Sequence, residues 1–134
     1  MKQLFENEYM RINILNNNRI LEIKSRKVID DIQELDRHLT IINQYVKDTH
    51  AEKIILTLNN LDQISKESLL SEKFLPFISE YGVKNIAVIT GNDKKVQTLL
   101  SELKSYLSPL GEQLNITSET FETFEQALEW IVKE

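Results

Sequence analysis

The sequence predicts an α/β domain in which a mixed, mostly parallel sheet begins with an N-terminal β-hairpin and is packed by about four helices. Three observations favour this fold. Apolar residues first alternate with polar ones in two short stretches, then recur at helical spacing, and two later runs are apolar on both faces. Such two-faced runs are typical of inner parallel strands that are covered by helices on each side.

Length and composition indicate one ordinary globular domain. A chain of 134 residues suits a single hydrophobic core, so we expect one domain over residues 1–134. Hydrophobic residues make up 41% and charged residues 28%. With 3 glycines and 2 prolines, the composition indicates neither a disordered nor a fibrous chain.

Charge and cysteine content exclude several function classes. The 21 acidic and 16 basic residues are interspersed and give a formal net charge of -5, which argues against a nucleic-acid partner because phosphates require a basic face. The absence of cysteine excludes disulfides and thiolate chemistry.

No apolar run is long enough to span a bilayer, and the first ten residues lack the apolar core of a secretory signal. We therefore expect a cytoplasmic protein without a membrane span.

Two alternating stretches predict the hairpin. Residues 9–15 alternate between an apolar face, with Met10, Ile12 and Ile14, and an opposite face, with Tyr9, Arg11 and Asn13, as in a half-buried strand. Residues 20–24 predict the returning strand, with Leu21 and Ile23 buried. The three asparagines at 16–18 tolerate the positive φ of a tight turn, so we expect the chain to reverse there.

A long amphipathic helix follows. Asp30 or Asp31 suits the N-cap, because a carboxylate accepts hydrogen bonds from the free N–H groups of the first turn. An apolar stripe at spacings of three and four then ends near Lys47. The residues of this stripe are Ile32, Leu35, Leu39, Ile42 and Val46.

The run from Ile54 to Leu58 is apolar on both faces and predicts the middle strand of the sheet. A polar turn at 59–62 follows, and Ser65 suits the N-cap of the next helix. Pro76 predicts that this helix is kinked or split, since proline removes a hydrogen bond and crowds the preceding turn. Gly82 suits its end.

The remaining elements repeat the strand and helix alternation. Residues 86–89 predict a second inner strand, and the following helix should end near 109–111. Residues 116–120 have few apolar side chains, which favours an edge strand. Thr123 and Gln126 have capping-box spacing at the start of a last helix.

The sequence offers little catalytic chemistry. His38 and His50 are isolated, and neither has a second ligand at helical or hairpin spacing, so we expect solvated or capping histidines. The turn after the second inner strand carries one glycine, too few for a phosphate cradle, and Lys94 and Lys95 there are expected to be exposed. We therefore predict no enzyme activity, no catalytic or metal-binding residue and no cofactor.

In mixed sheets of this kind, ligands and partners meet the carboxyl ends of the parallel strands. Here those ends are residues 58–65 and 90–94, which we expect to lie side by side.

The stretch LTLNNLDQISKESL, Leu56 to Leu69, resembles the strand, turn and helix of STAS domains, the SpoIIAA-like or anti-anti-sigma-factor-like family. The order of elements agrees with that family. FENEYM (5–10) and FEQALEWI (124–131) resemble the two ends of small bacterial STAS-like or STAS/SEC14-like proteins. The resemblance covers nearly the whole chain diffusely, and it implies a non-enzymatic regulatory or protein-interaction domain.

In the anti-anti-sigma members, a serine at the start of this helix is phosphorylated, which switches partner binding off. The resemblance places Ser65 nearest that position, with Ser68 one turn later. The family pattern Asp-Ser-Ser-Gly reads here as residues 64–67, without the glycine. Ser65 therefore stays open between two interpretations, a simple helix cap and a phosphoswitch.

The resemblance implies a protein partner that binds at the turn and helix of residues 59–70. An apolar small ligand or lipid, as in the STAS/SEC14-like kind, is the alternative, and it would need an open cavity beside Phe74, Phe77, Ile78 and Leu100. A homodimer also stays open. The candidate partner surface comprises Asn60, Asp62, Lys66 and Leu69.

Overall fold

The computed structural model describes residues 2–15, 19–27, 31–57, 75–91, 94, 97–98 and 112–134. These residues form strands β1 (Lys2–Glu6), β2 (Met10–Leu15), β3 (Ile20–Ser25), β4 (Lys53–Thr57), β5 (Asn85–Ile89) and β6 (Thr117–Phe121). The helices are α1 (Ile32–Thr49), α2 (Leu75–Glu80) and α3 (Phe124–Lys133). Lys94, Gln97, Thr98 and residues 112–114 are also helical.

Within the described residues, the strands form one six-stranded sheet in the order β1-β2-β3-β4-β5-β6. The first two pairings are antiparallel, and the three from β3 to β6 are parallel. The predicted α/β class with a mixed, mostly parallel sheet is therefore confirmed. The polar strand β6 occupies an edge, as predicted.

The sequence did not predict β1, so the expected hairpin is the second half of a three-stranded antiparallel meander. The register between β1 and β2 shifts between Gln3 and Phe5, which marks a β-bulge. Leu4 and Phe5 consequently pack against the same core cluster although they are neighbours in sequence. The bulge thus removes the alternation by which a half-buried strand is recognised.

Helices cover both faces of the sheet. On one face, Ile42 of α1 and Ile78 of α2 share a buried cluster with Ile54 of β4. On the other face, Ile131 of α3 shares a second cluster with Ile55 of β4. The two-faced burial predicted for the central run is therefore confirmed.

Local signals fix the helix ends where they were expected. The Asp31 side chain accepts a hydrogen bond from the N–H of Gln33 at 2.9 Å and caps α1. Thr123 and Gln126 form the reciprocal capping box of α3. The chain turns after α2 at Gly82, whose φ of +96° suits glycine. The predicted turn at residues 16–18 and the predicted Ser65 cap lie outside the described residues.

We expect Ile131→Ala to lower the free energy of unfolding by about 2 to 5 kcal/mol, because it leaves a cavity between α3 and the sheet. The neighbouring substitution Val132→Ala is the control, since Val132 is 44% exposed, and it should stay within about 0.5 kcal/mol. Urea unfolding followed by circular dichroism measures both. Equal effects of the two substitutions would contradict the assignment of the buried face of α3.

Candidate functional site

The predicted docking stretch leaves the sheet at the carboxyl end of β4. Thr57, the last residue of β4, pairs with Lys24 of β3 and with Ile89 of β5. The last residues of β4 and β5 therefore lie side by side, whereas residues 58–65, which were expected to lie beside 90–94, are outside the described residues. The candidate residues Asn60, Asp62, Ser65, Lys66, Ser68 and Leu69 lie outside the described residues.

The end of β5 is organised around the carbonyl group of Gly91. The side-chain amide of Gln97 donates to this carbonyl at 2.9 Å, and the hydroxyl of Thr90 donates to it at 3.2 Å. A phosphate cradle would instead present backbone N–H groups. Lys94 is exposed, as predicted. The geometry therefore favours a plain turn at this strand end.

The expectation of a solvated or capping histidine is wrong for His38, which is only 1% exposed. Its ring lies edge-on to the ring of Tyr9, with 5.0 Å between the centroids. Among the described side chains of α1, His38 is the buried polar one, and Ile42 and Val46 are the buried apolar ones. The prediction failed because its hydrogen-bond partner Asn7 is 31 residues away in sequence.

The hydrogen bonds around His38 define its tautomer. The side-chain oxygen of Asn7 accepts the N–H groups of Tyr9 and Met10 at 2.8 and 2.9 Å, which orients the Asn7 amide nitrogen towards His38. That nitrogen lies 2.9 Å from His38 Nε2, so Nε2 accepts. His38 Nδ1 then donates to the carbonyl of Glu34 at 2.7 Å. Both ring nitrogens are thus used structurally, in a bridge between α1 and the β1–β2 turn.

His50 behaves as predicted. It is exposed and ends α1 in the left-handed conformation, with φ of 55°. Its backbone N–H donates to the carbonyl of Val46 at 3.1 Å. This residue is a helix C-cap.

The basic residues after β3 are held by acidic residues of β1 and of the turn that follows it. Arg26 and Arg11 both donate to Glu6 Oε1, and Arg26 also donates to the carbonyl of Asn7 at 2.9 Å. Hydrogen bonding from Arg11, aided by the positive charges of Arg11 and Arg26, lowers the pKa of Glu6 against the opposing effect of desolvation. Lys27 Nζ lies 3.8 Å from Glu8 Oε2. Arg26 and Lys27, the two basic residues that follow β3, therefore each lie in an ion pair.

A buried polar pair links β2 and β3. Asn13, expected on the exposed face of its strand, is 5% exposed, and Glu22 directly opposite is 8% exposed. The Asn13 side-chain amide donates to Glu22 Oε1 at 2.8 Å. A buried carboxylate is a candidate functional group in general. Here the cross-strand hydrogen bond gives it a structural role, since it satisfies both partners and favours one register.

A groove of about 640 Å³ lies between α1 and α2. Phe77 and Tyr81 form its aromatic part, with 4.7 Å between ring centroids, and Lys47 Nζ lies 5.9 Å from the Tyr81 ring centroid. Of the four residues beside which a ligand carrier would need a cavity, Phe77 lines this groove and Ile78 is fully buried, while Phe74 and Leu100 lie outside the described residues. Four lining residues are apolar or aromatic and six are polar: Leu39, Pro76, Phe77 and Tyr81, and Asp36, Thr40, Asn43, Gln44, Lys47 and Glu80.

No protein-family model, curated protein or solved structure matches this chain. Among the described residues, no group of three or more histidine, cysteine, aspartate or glutamate side chains is arranged to hold a metal ion. No helix in the described part of the chain is long and apolar enough to cross a membrane.

We expect Asn7→Ala to lower the free energy of unfolding by about 1 to 3 kcal/mol, because it leaves buried His38 Nε2 and two backbone N–H groups without their partner. Glu8→Ala, in the same turn, is the control, since its ion pair with Lys27 is exposed and worth little. Chemical denaturation measures both. A ring ¹⁵N spectrum of the wild type should show the hydrogen on Nδ1 of His38, and a hydrogen on Nε2 instead would contradict the proposed bridge.

The lowered pKa of Glu6 predicts a pH-dependent contribution to stability. A carboxyl whose folded pKa is lowered stabilises the fold above the pKa of the unfolded chain, about 4.3 for glutamate, and loses this contribution as the pH falls through the folded pKa. Glu6→Gln should therefore be less stable than the wild type at pH 7, and the difference should shrink as the pH is lowered towards about 3. Denaturation at several pH values measures it. Glu8→Gln, which leaves the Arg11 contact intact, should not reproduce this pattern.

Proposed function

We propose that the protein is a non-enzymatic, STAS-like domain of the bacterial cytoplasm that binds a protein partner. The partner surface in this proposal comprises the turn and helix predicted for residues 59–70 together with the α1–α2 groove. The single observation that carries the proposal is the groove, in which half-buried Phe77 and Tyr81 lie among mostly exposed polar residues that form its rim. Interfaces commonly use aromatic anchors surrounded by polar residues.

The composition of the groove favours a protein partner over a lipid. Pockets that carry apolar ligands are mostly lined by apolar side chains and enclose most of the ligand. Here six of the ten lining residues are polar, and charges of both signs lie at the rim, Asp36 and Glu80 against Lys47. A partner's side chain can insert against Phe77 and Tyr81 while its polar groups meet this rim.

The roles of the two histidines also support a binding function. His38 uses both ring nitrogens within the fold, and His50 caps α1. A general base needs a ring nitrogen that can reach a substrate proton. His38 is therefore not placed for that role, and the contact that His50 makes is a backbone cap of α1.

Regulation by phosphorylation of Ser65 is part of the proposal. A phosphate adds about two negative charges, which are tolerated at a helix N-terminus and change the charge of a docking surface. Ser68 is the second candidate position. A helix cap at Ser65 remains the competing interpretation, and an aspartate there distinguishes the two, since it also caps a helix.

An apolar-ligand carrier is the second candidate function, because the groove volume lies within the range of small-molecule sites. Thr40→Trp would fill the groove without removing any of its aromatic residues. If the protein is a carrier, an environment-sensitive fatty-acid probe should bind the wild type and lose this binding in the variant. Absence of saturable probe binding to the wild type would exclude this candidate.

For the partner function, we expect Leu69→Asp and Tyr81→Ala to reduce partner capture from an extract of the native organism by about tenfold, because each removes apolar contact area at the proposed surface. Ser65→Asp should do the same if phosphorylation switches binding off. Tyr81→Phe, which keeps the ring, is the matched control, and Val132→Asp controls for a charge elsewhere. Quantitative mass spectrometry of the captured proteins measures the effect.

The wild type and all variants must first show the same circular dichroism spectrum and cooperative unfolding. If Ser65→Asp, Leu69→Asp and Tyr81→Ala all retain every partner of the wild type, the proposed surface is wrong. If Ser65→Asp alone retains them, the phosphoswitch is wrong and Ser65 is a cap.

A further inference from the structure

The two edges of the sheet seen in the described residues differ in their protection against strand addition. At β1, a bulge lies between Gln3 and Phe5, and the Tyr45 hydroxyl donates to the carbonyl of Leu4 at 3.2 Å. Lys2 begins the strand. A bulge, a lysine and a covered carbonyl are devices by which proteins protect an edge strand. The β1 edge is therefore protected against the addition of another strand.

Within the described part of the chain, none of these three devices is seen at β6. It pairs with β5 in unbroken parallel register over five residue pairs, from Asn85 and Thr117 to Ile89 and Phe121. Its sequence, TSETF, contains no proline and no lysine. A regular edge strand without a bulge can template the addition of another strand.

The free backbone groups of β6 follow from its hydrogen bonds to β5. The N–H of Thr117 donates to the carbonyl of Lys84, and the carbonyl of Phe121 accepts from the N–H of Thr90, each at 2.9 Å. Backbone groups of alternate residues point to the same neighbour, so those of Ser118 and Thr120 point away from β5. No strand of the described residues lies on that side, and the Thr120 residue is exposed. Among the described residues, these two N–H and two carbonyl groups thus have no neighbouring strand to pair with.

The charge of the segment that contains β6 indicates the chemistry of its partner. Residues 112–134 contain six of the 21 acidic residues and one of the 16 basic residues, so the remaining 15 and 15 charges cancel. The whole formal net charge of -5 therefore resides in the segment that forms β6 and α3. A basic segment is attracted to such a surface and oriented by it.

A second copy of this chain is a poor occupant of the edge. Antiparallel pairing of β6 with itself about its central residue would place Glu119 directly opposite Glu119 of the other copy. Like charges at such positions destabilise strand pairing.

We propose that the outer edge of β6 binds an extended, lysine- or arginine-containing segment of a partner protein by strand addition. Main-chain hydrogen bonds to Ser118 and Thr120 hold the segment, and its basic side chains face the acidic segment 112–134. Four backbone groups support only a small interface, so the complex is weak and transient. This surface shares no residue with the groove or with residues 59–70, so its test is separate from the test of the proposed function.

The test uses a fluorescent seven-residue peptide of alternating lysine and valine with blocked termini. A second peptide has the same sequence, but the backbone nitrogens of alternate residues, those that would donate to β6, are methylated. Fluorescence anisotropy on the whole protein should show saturable binding of the first peptide below about 1 mM. The N-methylated peptide should bind about tenfold more weakly, equivalent to about 1.4 kcal/mol, because it cannot form the ladder. A peptide of alternating glutamate and valine should not bind.

Thr120→Pro tests the same edge from the protein side. It removes an N–H that points outwards, so the pairing with β5 should survive and peptide affinity should fall about tenfold. Thr120→Val keeps the N–H and should bind as the wild type does. The N-methylated peptide provides the answer on unaltered protein if the proline variant does not fold.

Three results would overturn the proposal. One is equal affinity for the methylated and unmethylated peptides, which would mean attraction by charge alone. Another is the absence of saturable binding of the basic peptide. The third is a wild-type dimer in analytical ultracentrifugation that Thr120→Pro converts to monomer, which would assign the edge to a second copy.

Discussion

The fold depends on β4, whose neighbouring residues Ile54 and Ile55 point to opposite faces of the sheet and are both fully buried. β4 is also bonded along both edges, to β3 and to β5. Every side of this strand is therefore occupied by protein. Full burial of an isoleucine contributes about 1.5 to 3 kcal/mol, so a sheet covered on one face only would forgo one of the two contributions. This requirement places α1 and α2 on one face and α3 on the other.

The elements that the sequence predicted are those whose signals are local. Alternation identified β2 and β3, helical spacing identified α1, and the Thr123 and Gln126 capping box marked the start of α3. β1 escaped because its bulge places two consecutive apolar residues against one core. Periodicity predicts only strands whose side chains alternate regularly between faces.

The candidate site was less predictable because its parts are distant in sequence. His38 looked like a surface histidine, since its partner Asn7 belongs to another element. Asn13 looked exposed until Glu22 on the neighbouring strand was found opposite it. Residues of both α1 and α2 line the groove, so the sequence of either helix alone does not predict it. What a residue does in a site depends on neighbours that only the tertiary structure supplies.

The hydrogen bonds that attach β1 and its turn to α1 bear on how the chain assembles during synthesis. The pairing within the meander is local, whereas the Asn7–His38 and Leu4–Tyr45 hydrogen bonds join residues 31 and 41 positions apart. Contacts between residues distant in sequence form later because more chain must be ordered first. When only the meander of a nascent chain has emerged from the ribosome, Tyr45 cannot yet donate its hydrogen bond to the carbonyl of Leu4 at the β1 edge. The β1 edge, which this hydrogen bond helps to protect in the folded protein, is therefore accessible to strand addition until α1 has emerged from the ribosome.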